Sequence, residues 1–187
     1  MFLASRYCCP EPQAWLPMSR TIRLLATVSR PEFLPANSAS LVIGLSWGLG
    51  PPLSLTWGLV IQVILVFATI TVVSAIAAQV NTMSDYELDL GDNRKKELVQ
   101  AMSLLGKGKL KTSIVVEFLL SLALIILLFL ILGKPASILM WMAAVFLAYA
   151  YSAPPLRLKS RAWLAMITLL LVLSILPISF VFHTVAS

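Results

Sequence analysis

Five runs of apolar residues, set apart by loops of alternating charge, leave this chain few ways to fold. They cover Phe33 to Gly50, Leu53 to Val80, Ser113 to Leu132, Ile138 to Tyr151 and Trp163 to Phe182. An α-helix rises about 1.5 Å per residue, so about 20 residues cross a hydrocarbon core roughly 30 Å thick. All but the fourth run meet that requirement at their strict boundaries, and Ala136 and Ser137 extend the fourth. The second is longer than a bilayer needs, so it either tilts or carries its last turns into the aqueous interface. Composition agrees: 59% of the 187 residues are hydrophobic and 12% are charged. Soluble domains average about 45–50% apolar and about 25% charged. The expected fold class is all-α, an integral membrane helical bundle of about five transmembrane helices in a lipid bilayer.

The loops differ in charge. Arg20, Arg23 and Arg30 precede the first run. The stretch Thr82 to Thr112 holds Arg94, Lys95, Lys96, Lys107, Lys109 and Lys111, and Pro154 to Ala162 holds Arg157, Lys159 and Arg161. The intervening connections are Pro51-Pro52 and Gly133-Lys134-Pro135. By the positive-inside rule the N-terminus and both basic loops face the cytoplasm and the C-terminus faces out, giving a multi-pass protein of the cell membrane. The net charge of +6 is spread over these loops, where it signals topology and anion contacts rather than a nucleic-acid partner.

Residues 1–17 contain three prolines and no signal-peptide core, and Met18 offers an alternative start. They are expected to be a disordered extension or no part of the natural product, with the transmembrane domain in residues 18–187. Cys8 and Cys9 are adjacent, which suits neither a disulfide framework nor a metal site.

Where the second run meets the interface, Asn81, Asp85 and Asp89 recur at every fourth position. On a helix that spacing places one amide and two carboxylates on one face. Carboxylates this near hydrocarbon are costly and usually functional. Two readings follow: a solvated, charge-rich helix end balanced by Arg94, Lys95 and Lys96, or a clamp in which Mg²⁺ bridges the carboxylates and a phosphorylated substrate. A diphosphate leaves readily only once its charge is neutralised, and a divalent cation does that. Arg30, Arg94, Lys95, Lys96, Arg157 and Lys159 are candidate contacts for the remaining phosphate charge. Glu87 points to the opposite side, and Gly91 suits the end of the helix.

Two further elements carry polar chemistry. Tyr149 to Arg161 combines an interfacial tyrosine pair, a helix-stopping Pro154-Pro155 and the alternating Arg157 and Lys159. Arg30-Pro31-Glu32-Phe33 opens the first run, with Asn37 one turn inside. Asn37 and Gln79 lie at membrane depth, where they either face a cavity or bond across helices. Glu117, one turn into the third run, either lines the cavity or, as the favoured expectation, reaches for water or a nearby lysine. His183, the only histidine, is expected at the outer end, far from the candidate site, and is assigned no role.

Taken in order, Arg30-Pro31, the Asn81–Asp85–Asp89 ladder and Tyr151-Ser152-x-Pro154-Pro155-Leu156-Arg157-Leu158-Lys159 resemble the UbiA-type superfamily of intramembrane prenyltransferases. The resemblance covers roughly residues 18 to 180. It implies transfer of an isoprenyl group from a prenyl diphosphate to a hydrophobic aromatic or lipid acceptor, with Mg²⁺. It also implies Asn81, Asp85 and Asp89 as catalytic residues, with Asp85 and Asp89 as the metal ligands. Arg30, Asn37, Lys95, Tyr151, Arg157 and Lys159 are implied as substrate-binding. In the family an aspartate often follows the asparagine of the ladder; here Thr82 stands in that place. Family members have more spans than this chain and a second aspartate-rich motif that it lacks. The isolated chain is therefore expected to show little or no turnover, and a second membrane chain could supply the missing helices. Two rival readings are a non-catalytic or split-enzyme membrane module and an ion-binding or transport subunit.

Overall fold

In lipid a backbone must satisfy its own hydrogen bonds, which favours helices for apolar runs of this length. The protein is described by a computed structural model over residues 18–49 and 56–186. Residues 1–17, with the two cysteines, and the Pro51-Pro52 connection lie outside the described residues. Within them all regular structure is helical: α1 (Met18–Val28), α2 (Leu34–Gly48), α3 (Trp57–Asp89), α4 (Lys96–Leu132), α5 (Pro135–Ser152), α6 (Ala162–Leu170) and α7 (Leu176–Val185). A π-helical turn, Leu171–Ile175, joins α6 to α7, so the last run forms one continuous rod. Four helical stretches are long and apolar enough to cross a bilayer: α3, α4, α5 and the α6–α7 rod. The protein is thus a multi-pass helical bundle suited to a membrane. The first apolar run gives α2, whose 15 residues span only about 22 Å.

Helix α3 begins where Thr56 caps it, its hydroxyl accepting from Leu59 N at 3.2 Å. Its 33 residues reach about 50 Å, well beyond a hydrocarbon core, so the Asn81–Asp89 turns sit at its end. The charged stretch after it departs from the expected loop. Only a short 3₁₀ turn, Asn93–Lys95, separates α3 from α4, and α4 then runs through the lysines with a break at Gly106 (φ 74, ψ 152). Its first turns stay helical because Ala101, Met102 and Leu105 recur at helical spacing and bury one stripe. That stripe packs on Leu24, Leu25 and Val28 of α1, an amphipathic helix that the hydropathy pattern alone did not mark.

At the other side of the bundle α2 and α7 run parallel and touch closely. A Cβ placed on Gly44 would lie 2.5 Å from Val181 Cβ, and one on Gly48 would lie 2.4 Å from Val185 Cγ2. This is small-xxx-small packing, in which missing side chains let backbones approach. Asn37 and Ser40 continue the same buried stripe of α2. Val66, Ile70, Val73, Ile125, Leu128, Trp141, Phe180 and Val181 form the main apolar core between α3, α4, α5 and α7.

Candidate functional site

The ends of α3 and α5, and the loop after α5, converge on the asparagine–aspartate ladder. Pro154-Pro155 halt α5 after Ser152, and Arg157 adopts the left-handed region (φ 37), which turns the chain back toward α3. Lys159 Nζ thereby reaches Asp85 Oδ1 at 2.5 Å and donates to Asn81 Oδ1 at 2.9 Å. Ser152 Oγ donates to the same asparagine oxygen at 2.9 Å, and Arg157 Nη2 stands 3.4 Å from Asp85 Oδ1. One turn on, Lys95 Nζ donates to Asp89 Oδ1 at 2.7 Å. Asp92 lies past the helix end, where it caps the 3₁₀ turn by accepting from Arg94 N at 2.9 Å. Glu87 faces outward and pairs with Lys107 at 3.2 Å.

Beneath this polar cap lies a cavity of about 240 Å³ between α3, α5 and the α6–α7 rod. Asn81, Tyr151, Arg30 and Phe33 line its polar end; Ile70, Val73, Met140, Leu173 and Phe180 line its depth. From Asn81 to Ile70 along α3 is about 16 Å. The walls are therefore mostly apolar over the length of a lipid tail, with Arg30 and Asn81 at the polar end and single neutral polar groups of Thr69, Ser74, Trp141 and Thr168 along the way. Arg30 is held there in the left-handed region (φ 55), its Nε 3.0 Å from Glu32 and its guanidinium 5.6 Å from the Phe33 ring centroid. The indole Nε1 of Trp141, a lining residue, is buried without a partner among the described residues.

Of the residues singled out in the sequence, the structure brings Asn81, Asp85, Arg157 and Lys159 into one network and sets Arg30 and Tyr151 at the cavity mouth. Asp89 and Lys95 form a neighbouring pair. Asn37 lies outside the cavity lining: it is buried against α3, its Oδ1 accepting from Ser74 Oγ at 3.1 Å, and Ser74 does line the cavity. Gln79 likewise bonds across helices, to Ser29 and Glu117. Glu117 therefore bonds neutral groups, Gln79 and Ser113, and among the described residues it forms no ion pair with the expected lysine. Thr82 is buried and bonds its own helix at Ala78 O. Ser152 carries no role that the sequence alone reveals; its only signal is its place inside the Tyr151–Lys159 segment.

The donor set can be tested for a metal from its chemistry. Mg²⁺ is usually held by one or two carboxylates, with phosphate oxygens and water filling the other positions. Asp85 and Asp89, one helical turn apart, match that pattern. Among the described residues no group of three or more histidine, cysteine or acidic side chains gathers elsewhere as an all-protein cage. The two carboxylates are met by three cations, Lys95, Arg157 and Lys159, so the cap carries one net positive charge and favours an anion above it. Comparison with family models, with curated proteins and with solved structures found no match.

Proposed function

We propose that this chain binds a prenyl diphosphate, Mg²⁺-dependent, at the ladder and serves transfer of its isoprenyl group to an aromatic or lipid acceptor, in the manner of the UbiA-type prenyltransferases that its motifs resemble. The observation that carries this reading is the junction of a cationic, carboxylate-bearing cap with an apolar cavity. A prenyl diphosphate has the same two parts. Its tail fits the walls between Ile70 and Phe180, and its head meets Lys159, Arg157 and Lys95.

In this reading Asp85 and Asp89 hold the metal, which when bound neutralises charge on the leaving diphosphate. The chain's own groups do the rest. Lys159 and Arg157 trade their carboxylate partners for phosphate oxygens, charge-assisted contacts in a partly desolvated setting. Ser152 and Lys159 fix the Asn81 amide, so its orientation is set before ligand arrives. Tyr151 and Phe33 close the polar end of the cavity and limit water near the bond that breaks. The same reading takes α2, with its exposed Val42, Ile43 and Trp47, as a fifth and short membrane helix beside α7. It places the cap and both basic loops on the cytoplasmic side of the cell membrane.

The test is binding of a radiolabelled prenyl diphosphate to the full chain in lipid nanodiscs, with and without Mg²⁺. Saturable, Mg²⁺-dependent binding that Asp85→Asn removes is the expected result. Binding of divalent cation with no effect of the prenyl diphosphate would replace this reading with ion binding. Turnover is a separate measurement, and adding a second membrane chain bearing an aspartate-rich motif tests the split-enzyme form.

A further inference from the structure

On the side of α3 toward α1 and α4, away from the cavity, Gln79 is fully enclosed. Its Nε2 donates to Ser29 Oγ at 2.8 Å and to Glu117 Oε1 at 2.6 Å. Ser113 Oγ donates to the same carboxyl oxygen at 3.2 Å. Both amide hydrogens of Gln79 are then used. Two acceptors remain, Gln79 Oε1 and Glu117 Oε2, each buried and without a hydrogen-bond partner among the described residues.

The groups bonded to Glu117 are neutral from every element that reaches it: Gln79 on α3 and Ser113 on α4, with Ser29 after α1 joined through Gln79. Among the described residues Glu117 enters no ion pair. An ionised carboxylate here would be an unpaired charge at membrane depth beside a second unpaired oxygen, which is costly twice over. A single hydrogen on Oε2 resolves both. The O–H would be a donor and Gln79 Oε1 its acceptor, a second bond beside the one that already joins Gln79 Nε2 to Glu117 Oε1.

We propose that Glu117 is a proton-binding site, protonated at neutral pH and donating from Oε2 to Gln79 Oε1 at the junction of α1, α3 and α4. This goes beyond the prenyl-diphosphate reading and does not depend on it. The junction has a further consequence, because Ser29 precedes Arg30, whose left-handed backbone brings Arg30 and Phe33 to the cavity mouth. Loss of the proton sets two oxygens against each other and loosens the hold on that segment.

The experiment is infrared spectroscopy of the full chain in lipid vesicles, comparing wild type with Glu117→Gln as pH is raised from neutral. The expected result is a protonated-carboxyl absorption in the wild type at neutral pH, absent from Glu117→Gln and lost in one step toward alkaline pH. Glutamine keeps an amide where the acid stood and can make the same two bonds with no proton to lose, so the variant should melt above wild type at neutral pH and the gap should close in acid. As pH rises the wild type should lose stability while the variant holds. Identical neutral-pH spectra would overturn the proposal. Should the variant not fold, isotope-labelled glutamate decides the same question in wild type and in Glu11→Gln: Glu32, Glu87 and Glu97 are exposed, so a shifted protonated band that persists without Glu11 belongs to Glu117, and its absence overturns the assignment.

Discussion

Lys159 Nζ lies 2.5 Å from Asp85 Oδ1, with the two side chains 14% and 15% exposed, and the same ammonium donates to Asn81 Oδ1. One lysine from the α5–α6 loop thus holds two rungs of the α3 ladder. It keeps a carboxylate near hydrocarbon in balance, and in the proposed function it is the cation that meets phosphate.

Removing both members should therefore cost less than the two single removals added together. Lys159→Met leaves Asp85 with only Arg157 at 3.4 Å. A loss of about 1–3 kcal/mol follows from stranding a charged, largely buried acceptor. The double variant Asp85→Asn with Lys159→Met should cost less than the sum of the singles, with a coupling of about 0.5–3 kcal/mol. Thermal unfolding in detergent measures this cycle. Strict additivity would mean that the contact does not hold the loop to the helix.

Acid should act first at the turn between α3 and α4. The backbone N–H of Arg94, then its side chain, holds the Asp92 carboxyl below its ordinary 3.8. A carboxyl lowered in the fold stabilises it above its unfolded value and stops doing so as pH falls through the folded one. The Asn93–Lys95 turn should stay closed at neutral pH and open in acid. Hydrogen exchange at Arg94 N checks this: protection in wild type should vanish in acid, and in Asp92→Ala it should be missing throughout.

The close contact of α2 with α7 makes a graded prediction. A Cβ on Gly44 would meet Val181 Cβ at 2.5 Å and the Ile178 carbonyl at 2.9 Å, neither of which can swing aside. A Cβ on Gly48 would meet a methyl of Val185 at 2.4 Å, with the nearest backbone atom at 3.2 Å. Gly44→Ala should cost about 1–3 kcal/mol, as overpacking does, and Gly48→Ala less. Val185→Ala removes the clashing methyl and should restore Gly48→Ala. Val181→Ala keeps its Cβ and should fail to restore Gly44→Ala, as melting temperatures would report.

Local periodicity made α3 legible: apolar residues through Val80, then the four-residue ladder, imply one helix emerging from the membrane, and α3 ends at Asp89. The same rule applies to Ala101, Met102 and Leu105, yet the density of lysines around them suggests a loop. Charge marks which face is wet, not whether a segment is helical. The bonds of Ser152 and Lys159 to Asn81 were not legible, since they join residues 71 and 78 positions apart. Such contacts depend on where Arg157 turns the chain. The Gln79–Glu117 pair was hidden for the same reason, each residue looking like an isolated polar group in its own run.

The cavity predicts selectivity by tail length. Along α5, Tyr151 stands at the polar end, Ala148 one turn deeper, Ala144 two turns and Met140 three, a ladder of about 5 Å steps. Ala144→Phe would obstruct the channel roughly 10 Å below the head-group end, so a short prenyl tail should still fit and a long one should not. Each methylene denied burial costs about 0.8 kcal/mol, so excluding even two or three should weaken the longer ligand by about tenfold or more. Competition binding with a short and a long prenyl diphosphate reads this ratio directly, without requiring turnover. Met140→Ala, which opens the deep end, should shift preference the opposite way. Equal weakening of both ligands by Ala144→Phe would show that the tail lies elsewhere, and the Asn81–Asp89 cap would then need a different apolar partner.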